Sequence, residues 1–172
     1  MTEKKAVFLE DGRRTEILPI EASSLIPGSW EAQTLQTELT RIFPKRSVRR
    51  VLFINPSTTD ARDFGYDTCK LGRYPNFPSY GVGILASRLR KEGILVDILN
   101  LNNAVLRACR LSKSEKDFDL TAVVISELTS RLKNFQPDLV GITCMFSQTH
   151  QSTMDVCRQI KEITPDLPLA LG

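Results

Sequence analysis

The chain has 172 residues, 41% hydrophobic and 25% charged, which is ordinary globular composition and enough length for one real core. Its formal charge of +3 is mild, and much of the excess comes from Arg41, Lys45, Arg46, Arg49 and Arg50, a stretch without an acid; this is a local patch and not a nucleic-acid footprint. Cys69, Cys109, Cys144 and Cys157 are too widely spaced for a Cys-x-x-Cys pair or a cluster-ligand triplet, and the polar start Met1-Thr2-Glu3-Lys4-Lys5 leads into no apolar run long enough for a signal peptide or membrane span, so reduced thiols and a cytoplasmic location are expected.

Taken in chain order, apolar runs at residues 6–9 and 15–20 flank Glu10-Asp11-Gly12-Arg13, and Asp-Gly between two such runs predicts a hairpin. Leu35, Leu39, Ile42 and Phe43 then recur at helical spacing, with Ser29 as cap and Pro44 as stop. Residues 1–46 read as an appendage of hairpin plus helix. From residue 47 the pattern changes. Val51-Leu52-Phe53-Ile54-Asn55-Pro56 is too short for a helix and ends in proline, as a buried parallel strand does. A loop of about two dozen residues follows, and loops of that length in compact domains are usually functional or disordered.

A helix is predicted over residues 80–92, with Val82, Leu85, Ala86 and Leu89 on its core face, basic residues in its last turns and Gly93 closing it. Residues 95–101 form the next strand. A connection through Ser112 to Asp117 leads to a helix with Leu120, Val124, Leu128 and Leu132 in one stripe, ended by Pro137. Residues 138–143 read as the third strand and 149–163 as a helix facing its core with Val156, Cys157, Ile160 and Ile163. A fourth strand starts at Pro168-Leu169-Ala170-Leu171-Gly172. Strands alternating with helices require a parallel sheet, so the fold class is α/β, doubly wound and Rossmann-like or flavodoxin-like, with helices on both faces. A last strand with no covering helix leaves an exposed edge, so the 47–172 domain is expected to be truncated from something longer.

In such sheets ligands bind outside the carboxyl ends of the strands, where the crossover direction reverses. Here that means the loops 56–79 and 144–149 and whatever follows Gly172. The first offers Pro56-Ser57-Thr58-Thr59 and the second Cys144-Met145-Phe146-Ser147-Gln148 before a helix start. No Gly-x-Gly-x-x-Gly or Walker sequence follows the first strand, and Gly81-Val82-Gly83 lies inside a helix, which argues against a dinucleotide or nucleoside triphosphate. The single histidine, His150, has no convergent carboxylates and reads as half-exposed in a first helical turn. Asp60, Asp63 and Asp67 match no oxygen-ligand spacing and read as solvated loop carboxylates, so no metal site is expected. Some of Tyr66, Tyr74, Phe77 and Tyr80 must bury, against either the protein or a flat ligand. No paired acid and base or nucleophile with base stands at the strand ends, so no catalytic residue is expected.

Several segments resemble the N-terminal cobalamin-binding domain of radical S-adenosylmethionine enzymes. They are Val51-Leu52-Phe53-Ile54-Asn55-Pro56, the stretch Pro78-Ser79-Tyr80-Gly81-Val82-Gly83-Ile84-Leu85-Ala86-Ser87-Arg88-Leu89-Arg90, the strand from Gly93 to Leu101, Pro137-Asp138-Leu139-Val140-Gly141-Ile142-Thr143, and Leu169-Ala170-Leu171-Gly172. The resemblance spans about residues 50–172. It implies cobalamin as cofactor, with Pro56, Ser57, Thr58, Thr143, Met145, Ser147 and Gly172 supporting the corrinoid. Where other cobalamin domains carry Asp-x-His-x-x-Gly this chain has Asn55-Pro56-Ser57-Thr58-Thr59-Asp60, so the resemblance implies binding without a histidine ligand from that motif. It further implies a C-terminal radical SAM domain of the same polypeptide as partner. That domain would hold the 4Fe-4S cluster and S-adenosylmethionine, and the parent enzyme would be of methyltransferase or cyclase type. No nucleic-acid or membrane partner is expected. The rival reading is a flavodoxin-like or receiver-like binding or regulatory module without cobalamin; a receiver needs an aspartate after the third strand, and Thr143-Cys144-Met145 offers none. A third, a free-standing transferase, lacks the acid and base it would need.

Overall fold

The computed structural model describes residues 6–8, 14–16, 29–42, 48–145 and 147–172. The chain divides into two compact units, Met1–Lys45 and Arg46–Gly172. In the first, β1 (Ala6–Phe8) pairs antiparallel with β2 (Arg14–Glu16), Ala6 opposite Glu16, as a hairpin requires. The predicted Asp11-Gly12 turn lies outside the described residues. Helix α1 (Trp30–Ile42) starts where expected, with Ala32 N donating to Ser29 Oγ at 3.2 Å.

The second unit is a four-stranded parallel sheet in the order β4-β3-β5-β6. Strand β3 (Arg50–Asn55) lies between β4 (Leu95–Asn100) and β5 (Leu139–Ile142), and β6 (Leu169–Leu171) flanks β5. Its helices are α2 (Tyr66–Lys70), α3 (Tyr80–Lys91), α4 (Leu101–Leu111), α5 (Leu120–Phe135) and α6 (His150–Ile163). Strand alternation sends Leu52, Ile54, Leu99, Val140 and Ile142 to one face. There they join one fully buried cluster with Val105 and Cys109 of α4, Leu128 and Leu132 of α5, and Val156 and Ile160 of α6. Val51 points the other way and is also buried, on the face that takes Val82 and Ala86 of α3. The doubly wound parallel architecture with helices on both faces is therefore present as read from the sequence.

Three departures have local causes. Helix α4 stands where the sequence pattern predicts a connection: Asn100 ends its strand and caps the helix, its Oδ1 accepting from Asn102 N at 3.0 Å and Asn103 N at 3.3 Å, after which Leu101, Ala104, Val105 and Cys109 bury one stripe. Helix α2 interrupts the long loop because Tyr66 and Cys69 are buried and Lys70 Nζ closes the carboxyl end of α4, donating to Cys109 O at 3.2 Å, Arg110 O at 3.0 Å and Ser112 O. On α3 the buried face is Val82 and Ala86, while Leu85 is 55% exposed. Gly93 takes φ +77°, the left-handed conformation that ends α3.

Candidate functional site

Strand β3 leads through α3 to β4 on one side and is flanked by β5 on the other, so the chain reverses direction between β3 and β5. Just beyond the carboxyl ends of these strands is a cleft of 420 Å³. Asn55, Pro56 and Thr58 form its wall from β3 and Thr143, Met145 and Thr149 its wall from β5, while Pro75, Phe77, Pro78 and Ser79 close it ahead of α3. Asn102 completes it from below. Among the described residues no ionisable side chain lines it.

A web of neutral hydrogen bonds fixes these walls. Asn102, 4% exposed, donates from Nδ2 to Pro56 O at 2.9 Å, and its Oδ1 accepts from Thr58 N at 2.7 Å and Thr58 Oγ1 at 2.8 Å. Thr143 Oγ1 donates to Asn55 Oδ1 at 3.0 Å, tying the end of β5 to that of β3. Asn100 Nδ2 donates to Asn76 Oδ1 at 3.2 Å, and Asn76 Nδ2 to Asn103 Oδ1 at 3.3 Å, holding the far side of the loop. Each of these side chains meets a group from another segment, so the cleft is shaped before any ligand arrives. Below the strand ends, Gly141 of β5 leaves room for the Phe53 ring of β3: a Cβ there would stand 2.7 Å from Phe53 Cδ1.

Of the residues expected to support a ligand, the structure brings Pro56, Thr58, Thr143 and Met145 into this cleft. Ser57 is not among them. Successive residues of an extended segment point to opposite sides, and between Pro56 and Thr58 the Ser57 hydroxyl turns inward to meet Ser152 Oγ of α6 at 2.8 Å, leaving the residue 2% exposed. Ser147 is exposed in the short 3₁₀ turn Ser147–Thr149 and does not line the cleft. Gly172 extends the β5–β6 pairing, its N donating to Ile142 O at 3.1 Å and its O accepting from Cys144 N at 2.7 Å.

The remaining candidates are accounted for. Tyr66 and Tyr74 bury against the protein, where Phe64 and Phe118 stack at 5.0 Å and Phe64 meets Tyr74 at 5.6 Å, and burial pushes the Tyr74 phenol up; Phe77 and Tyr80 are 78% exposed. Asp60 pairs with Arg62 at 2.8 Å, which holds its carboxyl below the usual range, and Asp63 and Asp67 are exposed; among the described residues no group of three or more His, Cys, Asp or Glu stands ready for a metal. His150 is exposed at the start of α6. No helix among the described residues is long and apolar enough to cross a membrane. Asn102, which sequence reasoning missed, holds the β3 loop; its one sequence signal is the cluster Asn100-Leu101-Asn102-Asn103, an N-cap signature directly after a strand.

A parallel α/β sheet with a preformed cleft at its switch point, lined among the described residues by no acid–base pair, is the architecture of a ligand-binding domain. The profile of the B12 binding domain matches residues 73–172, and the chain belongs to that family. The matched stretch begins after β3 and takes in Pro75, Phe77, Asn102, Thr143 and Met145. Comparison with curated proteins and with solved structures returned no match.

Proposed function

We propose that this chain holds a corrinoid at the carboxyl end of its sheet, without a protein histidine on the cobalt, as the cobalamin domain of a larger radical SAM enzyme of methyltransferase or cyclase type. The observation that carries this reading is the neutral cleft itself, clamped by Asn102 and placed at the switch point of a B12-family fold. Pro56 and Thr58 on one side and Thr143 and Met145 on the other would hold the group, with Phe77 offering an aromatic face at the rim. The corrinoid supplies the organometallic chemistry; the chain's own residues bind and orient it. Asn55-Pro56-Ser57-Thr58-Thr59-Asp60 places no histidine after β3, which supports a cobalt without that ligand. The 4Fe-4S cluster and S-adenosylmethionine would belong to a C-terminal domain of the same polypeptide, since Cys69 and Cys109 are buried and the four cysteines show no cluster spacing. The reading places the protein in the cytoplasm, with neither nucleic acid nor membrane as partner.

The test is titration of the chain with hydroxocobalamin followed by absorbance, alongside a longer polypeptide assayed for iron and sulfide. Saturable spectral change in either supports the corrinoid reading, and iron with sulfide in the longer one supports the radical parentage. Absence of binding by both overturns it in favour of the flavodoxin-like interaction module. The cobalt(II) form bound to chain labelled with ¹⁵N-histidine should show magnetic splitting unchanged by the label; a change would put His150 on the metal.

A further inference from the structure

The sequence holds two short segments of one composition, Lys70-Leu71-Gly72-Arg73 and Arg110-Leu111-Ser112-Lys113, each a leucine and a small residue between cations and each without an acid. The first closes α2 and the second closes α4. Lys70 brings them together, its Nζ donating to Cys109 O at 3.2 Å, Arg110 O at 3.0 Å and Ser112 O. Gly72 completes the junction. At φ +74° it turns the chain out of α2, and a Cβ there would stand 2.5 Å from Arg110 Nη2, so the Arg110 guanidinium lies against Gly72 in the space a side chain would fill.

Two features of this junction go unmet among the described residues. Leu71 is 70% and Leu111 79% exposed, two large apolar side chains at adjoining helix ends. Arg73, Arg110 and Lys113 are also exposed, and none of the three enters an ion pair among the described residues, whereas Arg107, one turn before Arg110, is held by Glu127 at 2.9 Å. The nearest acids along the chain are Asp67 at the head of α2 and Glu115 and Asp117 beyond Ser114, where Asp117 accepts from Ser114 Oγ at 2.8 Å. Cations gathered in this way repel one another, and an acidic partner relieves that repulsion. The planar fork of a guanidinium suits a carboxylate. A nucleic-acid backbone would meet the cations and leave both leucines in water, and two leucines are too little apolar surface to hold a membrane. We propose that the joined ends of α2 and α4 dock an acidic segment of a partner polypeptide, its carboxylates on Arg73, Arg110 and Lys113 and an apolar side chain of its own against Leu71 and Leu111. The surface is independent of the corrinoid reading, because none of these residues lines the cleft.

The experiment is amide NMR of the full chain titrated with acetyl-Glu-Glu-Leu-Leu-Glu-Glu-amide. Two control peptides accompany it, one with glutamine for every glutamate and one with glycine for both leucines, together with a single-stranded oligothymidylate and phosphatidylserine vesicles. The expected result is saturable shifts centred on residues 71–73 and 110–113, with each control peptide binding at least about threefold more weakly, the scale of one exposed contact. The double variant Arg73→Glu with Lys113→Glu should weaken binding of the acidic peptide about tenfold or more, two exposed charge contacts being reversed together, and leave hydroxocobalamin binding unchanged. Should that variant fail to fold, the ranking of the three peptides on the parent chain decides. The proposal is overturned by no saturable shift, by shifts confined to other residues, or by either control peptide binding as tightly as the acidic one. It is equally overturned if the oligothymidylate or the vesicles bind as tightly as that peptide, or if the folded double variant binds it as the parent does.

Discussion

Replacing Asn102 with alanine tests whether the cleft wall is held by this one side chain. The substitution removes three hydrogen bonds at a site 4% exposed, stranding the Pro56 carbonyl and the Thr58 N–H. A buried backbone group left unpaired costs about 1–3 kcal/mol, so two stranded groups, partly relieved by water from the adjoining cleft, should cost about 2–4 kcal/mol. For a chain of this size that lowers the melting temperature by roughly 5–15 °C. Urea unfolding followed by circular dichroism measures the loss, and the hydroxocobalamin titration measures the consequence for the cleft. Affinity should fall by about tenfold, since residues 56–58 would have to be ordered by the ligand instead of by Asn102. Stability of Asn102→Ala within about 0.5 kcal/mol of the parent, with unchanged affinity, would refute the reasoning.

Three further outcomes follow from the same structure. Gly141→Ala forces a Cβ to 2.7 Å from Phe53 Cδ1 and should destabilise by about 1–3 kcal/mol; in a double-mutant cycle Phe53→Leu should recover part of that loss. Lys70→Met strips the donor from three carbonyls at the end of α4, and should cost about 1–2 kcal/mol and quicken amide hydrogen exchange at residues 111–113. Burial pushes the Cys69 thiol up to about 12 and Cys109 is equally enclosed, so in the folded chain near pH 8 an aromatic disulfide reagent should reach Cys144 and Cys157 first, with Cys69 and Cys109 reacting only on unfolding. Reaction of all four at one rate would contradict that packing.

The sheet was legible where the pattern is short-range. The run from Val51 to Ile54 cannot pack as a helix before Pro56, and the stripe of Leu120, Val124, Leu128 and Leu132 repeats over four turns, so both stand where expected. Helix α4 was hidden because its stripe begins one residue after the apolar run of β4, and the two periods merge in a linear reading. The site was half legible for a different reason. Fold class alone points to the loops after β3 and β5, but which side Ser57 faces depends on α6, and what Asn102 does depends on a carbonyl 46 residues earlier. Neither partner is local, and no propensity or spacing rule reports it.

That no ionisable side chain among the described residues lines the cleft has a thermodynamic corollary. A surface that neither gains nor loses protons when a ligand settles on it contributes no linkage between occupancy and acidity. The intrinsic affinity should then stay level from about pH 6 to 8. Whatever pH dependence a titration reveals in that window belongs to the cofactor's own equilibria, so the domain acts as a chemically silent holder against which those equilibria can be read.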